Sequence, residues 1–483
     1  MSEHLPAEKF GENAEAALAD EQLHGALHKV TDLFVDRHRA AVDAVPEWQE
    51  LRAQASQIKD QTLARLDHYL EQFADNAAQA GAVVHWAPEA EDARRIVREI
   101  AAASEAKTVV KAKSMTTEEI HLNAALEADG LDVHETDLGE WIIQLADEVP
   151  SHIIVPAIHK TKEQIGALLT AQSGMTPTDD AEEMTAHARG LLRRCFARAD
   201  LGVTGANFAV AETGSLLVLE NEGNIRFTTS LPRVHVAVVG IEKVIPRLAD
   251  LELFLRLLPR SGTGQHLTTY QSLITGPAGP RGAEGPEELH IVLLDAGRSR
   301  MLAHPTTRAA LRCIRCGACL NNCPVYQQVG GHAYGSVYPG PIGAVITPQL
   351  NGLEKNAQLP FASSLCGACR DVCPVKIDIP KLLLHLRADI QEQRPAAAPT
   401  SLLERAGFAA WAAAMRSPRL YALCNRVARL GQRLTLRDGR AAGIGRLIKP
   451  LVAWTSKRDL RPLADRSFRE QWRELDRDER GAP

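Results

Sequence analysis

Seven of the nine cysteines in this 483-residue chain fall in the 61 residues from Cys313 to Cys373, while Cys195 and Cys424 stand alone. In a chain that keeps its thiols reduced, such clustering serves metal ligation or redox chemistry rather than disulfides. The first run, Cys313, Cys316, Cys319 and Cys323 followed by Pro324, fits C-x2-C-x2-C-x3-C-P without a mismatch, the spacing with which bacterial ferredoxins hold cuboidal iron-sulfur clusters. Three thiolates at steps of three residues wrap one face of a cubane, the small Gly317 and Ala318 admit backbone N–H groups to the sulfides, and Pro324 turns the chain away. Zinc, the alternative, favours two separated C-x2-C knuckles and requires neither the triple spacing nor the proline.

The second run, Cys366, Cys369 and Cys373 followed by Pro374, repeats the pattern without its first cysteine, and Ser363 holds that place. In two-cluster ferredoxins the last cysteine of each run ligates the other run's cluster. On that rule one cluster takes Cys313, Cys316, Cys319 and Cys373, and the other keeps Cys323, Cys366 and Cys369. Two [4Fe-4S] clusters are expected, the second either reduced to [3Fe-4S] or completed by a fourth ligand that is not cysteine: Ser363, another oxygen, a partner's residue or water. An open iron would act as a Lewis acid or docking point. A finished electron-transfer cluster is the plainer reading, since no substrate-binding constellation stands beside it. The order C-x2-C-x3-C also differs from the C-x3-C-x2-C of radical S-adenosylmethionine enzymes.

Between the runs lies a glycine-rich segment from Gly330 to Gly343 that holds His332, Tyr334 and Tyr338. Its glycines permit close backbone packing, where N–H to sulfur hydrogen bonds raise a cluster's potential. His332 and the tyrosines are expected as polar loop anchors rather than electron gates. Cys195 and Cys424 both sit in helical patterns and are expected as core fillers.

A chain of this length implies two or three domains. Hydrophobic residues at 45% and charged residues at 24% match globular averages and argue against global disorder and against a membrane bundle. No apolar run is long enough to span a bilayer, and Met1–Phe10 lacks the basic and apolar regions of a secretory signal, so a cytoplasmic location is expected. The net charge of −5 hides an asymmetry: from Arg394 onward 19 Lys and Arg face 9 Asp and Glu, a net of +10, against −15 for the rest. That basic tail suits an acidic partner or anionic lipid headgroups at a membrane's inner face; equally, it suits docking on the acidic body of its own chain. It has no helix-turn-helix signature, and a nucleic-acid partner is not expected.

Residues 1–55 read as a helical extension. From 56 to 297, short apolar strands (Ala82–Trp86, Thr108–Lys111, Leu131–His134, His152–Pro156, Leu216–Glu220, Val234–Gly240 and Ile291–Leu294) alternate with helical stretches such as Ala90–Ala103, Thr117–Ala128 and Lys160–Leu169. Continuous apolar strands with helical crossovers imply a largely parallel sheet covered on both faces, an α/β domain. Gly276–Gly282 reads as an exposed loop, Arg298–Arg312 as a helix leading into Cys313, residues 298–393 as the iron-sulfur module, Pro395–Pro399 as a linker, and 394–483 as a basic helical region.

With the cysteine runs, the YPGPIG segment Tyr338–Gly343, the CPVKIDIP end Cys373–Pro380 and the upstream α/β domain in this order, the chain resembles the lactate utilization protein B family, the iron-sulfur component of a three-protein L-lactate oxidation system. The similarity covers nearly the whole chain, and the family also has three cysteines in its second run. The resemblance implies a Rossmann-like fold of the sugar-isomerase and CoA-transferase type for the α/β domain, a helical ferredoxin-like module after it, and two partners, a cysteine-rich subunit and a small lactate-utilization-domain subunit. Lys113 follows one strand and Glu135 another, and Asn207 and Glu212 lie in turns where the resembled enzymes place catalytic acids. These four could line a pocket at the strand ends, or serve as turn and capping residues in a domain that has become a scaffold. Arg260–Gln265 could cradle a phosphate, a weak signal for a Gly-rich loop.

The function expected is electron transfer from lactate oxidation toward a quinone or another acceptor through two clusters. The alternative is an α/β domain that binds a CoA ester, sugar phosphate or hydroxy acid, with the clusters regulatory. No G-x-G-x-x-G fingerprint of a flavin or nicotinamide site opens the α/β domain, so the group that takes hydride from lactate belongs to a partner or to two clusters in concert.

Overall fold

The structure is a computed structural model, describing residues 6–279, 284–393, 402–456 and 458–480. These form two compact units, residues 1–393 and 394–483. The linker expected at Pro395–Pro399 and the end of the loop expected at Gly276–Gly282 lie outside the described residues.

Among the described residues of the first unit ten strands appear in chain order: β1 (Val83–Ala87), β2 (Thr108–Lys111), β3 (Asp132–Glu135), β4 (Leu201–Thr204), β5 (Phe208–Val210), β6 (Ser215–Glu220), β7 (Val234–Gly240), β8 (Val244–Ile245), β9 (Tyr270–Ile274) and β10 (Glu288–Leu294). Six of them make an all-parallel sheet in the order β1-β10-β7-β4-β2-β3. The other four make a smaller mixed sheet, β8-β5-β6-β9. All seven residues of the central β7, VHVAVVG, are buried, as a strand covered on both faces requires. The crossover helix Ala90–Ala103 opens on a capping box between Glu89 and Asp92 and buries Ala93, Ile96, Val97, Ile100 and Ala101, the one-face spacing that ties a helix to a sheet.

Several expectations change. His152–Pro156 is not a strand but a loop: the His152 ring Nδ1 accepts the N–H groups of Ile154 and Val155 at 3.0 and 3.1 Å, bonds that a sheet ladder would otherwise claim. The helix expected over Thr117–Ala128 is two, Met115–Glu119 and Leu122–Ala128, broken where His121 turns left-handed at φ 50°. That over Arg298–Arg312 splits into Arg298–Ala303 and a 3-10 turn, Thr307–Arg312, with Pro305 between them. Strand β6 joins the mixed sheet rather than the parallel one. Cys195 is half-buried beside an apolar cluster, whereas Cys424 lies exposed on the helix Pro418–Thr435, so it fills no core.

Before the sheet, the helices Phe10–Leu18, Glu21–Asp43, Trp48–Ala64 and Leu66–Gln79 reach across to the cysteine-bearing segment. Asn13 donates to the Ala333 carbonyl at 3.3 Å, and Arg52 Nε to the Cys373 carbonyl at 2.8 Å. The second unit holds the helices Leu402–Arg416, Pro418–Thr435, Lys449–Thr455 and Phe468–Arg480 and a short hairpin. Among the described residues no helix is long and apolar enough to cross a membrane.

Candidate metal centre and adjoining cavity

The two cysteine runs fold alike. Arg315 (φ 61°) and Gly317 (φ 74°) flank Cys316, and the short helix Ala318–Asn321 carries Cys319; Leu365 (φ 56°) and Gly367 (φ 90°) flank Cys366, and Ala368–Asp371 carries Cys369. Left-handed residues on both sides of a cysteine turn successive amides inward, the nest geometry that favours an anionic guest. Those amides reach sulfur. Arg315 N donates to Cys313 Sγ at 3.4 Å and Ile377 N to Cys373 Sγ at 3.3 Å, while Cys316 is served by Ala318, Cys323 by Val325 and Tyr326, and Cys369 by Arg370.

Cys313, Cys316, Cys319 and Cys373 wall one void of about 20 Å³, closed by Ile153 and Ile342. Cys323, Cys366 and Cys369 form a second group, each within electrostatic reach of another. All seven are free thiols; Cys366 is exposed, Cys313 half-buried and the rest buried. Burial first, and neighbouring cysteines second, push the Cys369 thiol up to about 12 and raise Cys316 and Cys319 as well. Sulfurs gathered this densely away from water become thiolates only with cations among them, so the donor set fits an iron-sulfur group whose binding expels protons. Ser363, half-buried, accepts the Leu365 N–H on its hydroxyl at 3.1 Å.

Around the first group the protein places positive charge. Arg315, Lys59 and Lys243 all feel Cys313. Burial lowers both lysines to about 8. Glu242 ties the set together: burial pushes its pKa up, but Arg298, Arg315 and Lys243 overcome that and hold it at about 2. Arg298, 1% exposed, bonds Glu242 at 2.6 Å and Glu119 at 2.8 Å, and Glu119 also accepts from the Tyr338 hydroxyl at 2.7 Å. His332 is anchored on the Val149 carbonyl at 2.7 Å. Tyr334 departs from the anchor role expected of it: its hydroxyl is buried without a hydrogen-bond partner, facing Cys323, Cys319 and Cys369.

Beyond Ile153 and Arg315, which border the void on one side, opens a cavity of about 390 Å³ on the other. It lies past the ends of β2 and β4, where open parallel sheets bind ligands. The helix Asp250–Gly262 closes it against the first cysteine run, so tightly that a Cβ on Gly262 would sit 2.9 Å from the Cys316 carbonyl oxygen. Gly264 packs likewise on Arg37, while Gly262, Thr263 and Gln265 of the Arg260–Gln265 segment border the cavity. Of the four residues expected to share a pocket, Lys113 and Asn207 border the cavity. Glu135 and Glu212 do not: Glu135 is buried against Lys111 at 2.7 Å, and Glu212 accepts the Leu248 N–H at 2.8 Å. Glu135, buried, goes to the nearest cation, whereas Glu212 lies exposed at the surface.

Family models match three consecutive stretches: the LUD domain over residues 70–294, the 4Fe-4S dicluster domain over 309–377 and the lactate utilisation protein B C-terminal domain over 386–476. Lactate utilization protein B of Shouchella clausii is 44% identical over 462 residues, 95% of this chain and 96% of its own. The Bacillus licheniformis protein of that name is 42% identical over 483 residues, 100% of this chain and 99% of its own. The chain belongs to the lactate utilization protein B family. A crystal structure of a DUF162 family protein from Deinococcus radiodurans is also similar, at 15% identity and a TM-score of 0.27, over 47% of this chain and 98% of that one.

For this member of the lactate utilization protein B family, motif reading found the sulfurs and missed their surroundings. Arg52 and Lys59 act on the cysteine region from more than 250 positions away and Lys243 from 70 positions before Cys313, while Arg298 acts through Glu242 and Tyr338. One signal was available: Glu242 and Lys243 directly follow the continuous apolar run of β7, the strand end where ligand sites of open parallel sheets gather.

Proposed function

We propose that this chain is an iron-sulfur electron-transfer component of L-lactate oxidation, with Cys313, Cys316, Cys319 and Cys373 holding one [4Fe-4S] cluster and Cys323, Cys366 and Cys369 three corners of a second. The observation that carries the reading is the void shared by three cysteines of the first run and Cys373 of the second, the exchange that two-cluster ferredoxins use. Each cluster supplies reversible one-electron transfer when bound. The chain's own part is to direct amides at the sulfurs, to exclude water from the first site, and to set Lys59, Lys243 and Arg315 beside Cys313, where positive charge stabilises an added electron. At the second site the missing thiolate leaves a corner for Ser363, another oxygen or a three-iron centre.

The partners in this reading are the cysteine-rich and the small lactate-utilization-domain proteins of the same system, and the acceptor is a quinone or another carrier. The domain order is a helical extension over 1–55, a sugar-isomerase or CoA-transferase type domain over 56–297, the cluster module over 298–393 and a basic region over 394–483, the last serving contact with a partner or with the cytoplasmic face of a membrane. The test is iron, sulfide and zinc analysis of anaerobically purified protein, followed by electron paramagnetic resonance of oxidised and reduced samples. About eight irons with two interacting reduced signals support two cubanes; about seven with an oxidised three-iron signal place an open corner at Ser363. Zinc without sulfide overturns the reading. A second reading, that the α/β domain itself binds a small ligand, is favoured by the cavity beside Arg315.

A further inference from the structure

We propose that His304, His385 and Asp389 form a binding site for one zinc ion, separate from the clustered cysteines, which clips together the two ends of the segment that carries them.

The first argument is the spacing of the donors. His304 Nε2 and His385 Nε2 stand 3.4 Å apart, and His385 Nε2 and Asp389 Oδ2 3.6 Å apart; the three atoms all lie within 4.8 Å of one another. Ligands at about 2.0–2.1 Å from a tetrahedral zinc ion are about 3.4 Å from each other, whereas the same distances around an octahedral ion bring neighbouring ligands to about 2.9 Å. The spacing found is the tetrahedral one. His385 and Asp389 are four residues apart on the helix Ile379–Gln393, which sets them side by side on one face. His304, at the end of the helix Arg298–Ala303, meets them there with its ring inclined at 52° to that of His385, so the two imidazoles converge rather than stack.

The second argument is that these donors have little other employment. Asp389 meets only His385 among the described residues, and His385 meets only His304 and Asp389. His304 Nδ1 takes the Thr306 and Thr307 N–H groups at 3.3 Å each, which aims its Nε2 at His385. Those two contacts are long for hydrogen bonds; with zinc on Nε2 the ring proton moves to Nδ1 and water takes over the part-buried amides. Side-chain exposures of 32% for His385 and 25% for Asp389 leave the ion a path from solvent and room for water as a fourth ligand. Two imidazoles and a carboxylate suit zinc, while iron-sulfur assembly selects the thiolates, so the two sites do not compete. His304 lies just ahead of Cys313 and His385 just past Cys373, and an ion held by both closes the long loop between them, as structural zinc does.

The inference stands or falls apart from the electron relay, since a sulfur-free zinc shell is compatible with any occupancy of the cysteines. The test uses anaerobically purified full-length protein of assayed iron and sulfide content, equilibrated with a slight excess of Zn²⁺ and freed of unbound metal by gel filtration. Metal analysis is expected to find about one zinc per chain, and zinc-edge X-ray absorption a shell of nitrogen and oxygen at about 2.0–2.1 Å without sulfur at about 2.3 Å. His385→Gln is expected to lose that zinc and Asp389→Asn to bind it at least tenfold more weakly, with iron and sulfide unchanged in both. If His385→Gln fails to fold or to hold iron, Asp389→Asn decides. Three results overturn the proposal: no zinc is retained, the zinc sits in a sulfur shell, or the variants that fold retain it as the natural chain does, which would make it an adventitious ion only.

Discussion

Around Cys316 and around Cys366 the chain makes the same turn, with left-handed residues at 315 and 317 answered by those at 365 and 367, yet the two turns stand in different media. The first backs onto the α/β domain. Its left-handed arginine is clasped by Glu242 and lies over the Tyr338 ring at 4.7 Å, and Lys59 and Lys243 are buried nearby. In the second, leucine replaces that arginine, serine replaces the first cysteine, and Cys366 is exposed. Backbone shape fixes where sulfurs can be; side chains around it fix charge and water, the quantities that set potential and lability. Near-identical loops can therefore hold a guarded site and an open one in a single module.

The sharpest way to break this comparison is to remove a sulfur from the guarded loop. Cys316→Ser is expected to abolish lactate-dependent electron flow and to halve the iron, leaving about four per chain, while circular dichroism reports a folded α/β domain. Undiminished electron flow in a variant shown to lack the first cluster would refute the relay. Next in size is the prop behind that loop. Arg298→Leu leaves Glu119 and Glu242 buried without their shared cation, and breaking such a pair costs about 3–5 kcal/mol. A marked fall in the thermal midpoint and loss of the first cluster before the second are expected; equal loss of both would show that the Glu242 network does not belong to the first loop alone.

How far the sequence disclosed this asymmetry follows from the range of the interactions. The seven cysteines, the central strand Val234–Gly240 and the helix Ala90–Ala103 were legible because each is written in a local period or spacing. The apolar Ile153–Val155 misled, since its side chains pack beside the cysteine loop while the His152 ring takes the backbone bonds of a strand. Strands β4, β5, β8 and β9, of two to five residues, are too short for a periodic signal and exist because neighbouring strands pair with them. Glu135 was placed in a pocket because it follows a strand; only the fold shows Lys111 standing beside it in the sheet, in register on β2.

A third, gentler perturbation tests the open corner directly. Ser363→Cys restores the four-cysteine spacing of the second run, and the Ser363 hydroxyl is now engaged only by the Leu365 N–H among the described residues. The variant is expected to keep about eight irons through mild aerobic exposure, under which the natural protein drops to about seven with a three-iron signal. Identical iron loss in both would mean that lability stems from the exposure of Cys366 rather than from the absent thiolate.

The smallest effect comes from Tyr334, whose buried hydroxyl has no partner and faces Cys323, Cys319 and Cys369. A phenol donates readily to thiolate sulfur, and such a bond stabilises the more negative, reduced state. In Tyr334→Phe that donor is lost at constant ring volume, so stability should barely change. A bond of about 1 kcal/mol corresponds to about 40 mV in a one-electron couple, and the shift is downward because the reduced form loses more. Cys323 and Cys369 belong to the second group, so redox titration should show the larger drop there and a lesser one at the first cluster, through Cys319. A shift confined to the first cluster would reverse the assignment of Tyr334, and with it the claim that the open loop adds a neutral side-chain donor to its backbone amides where the guarded loop adds buried cations.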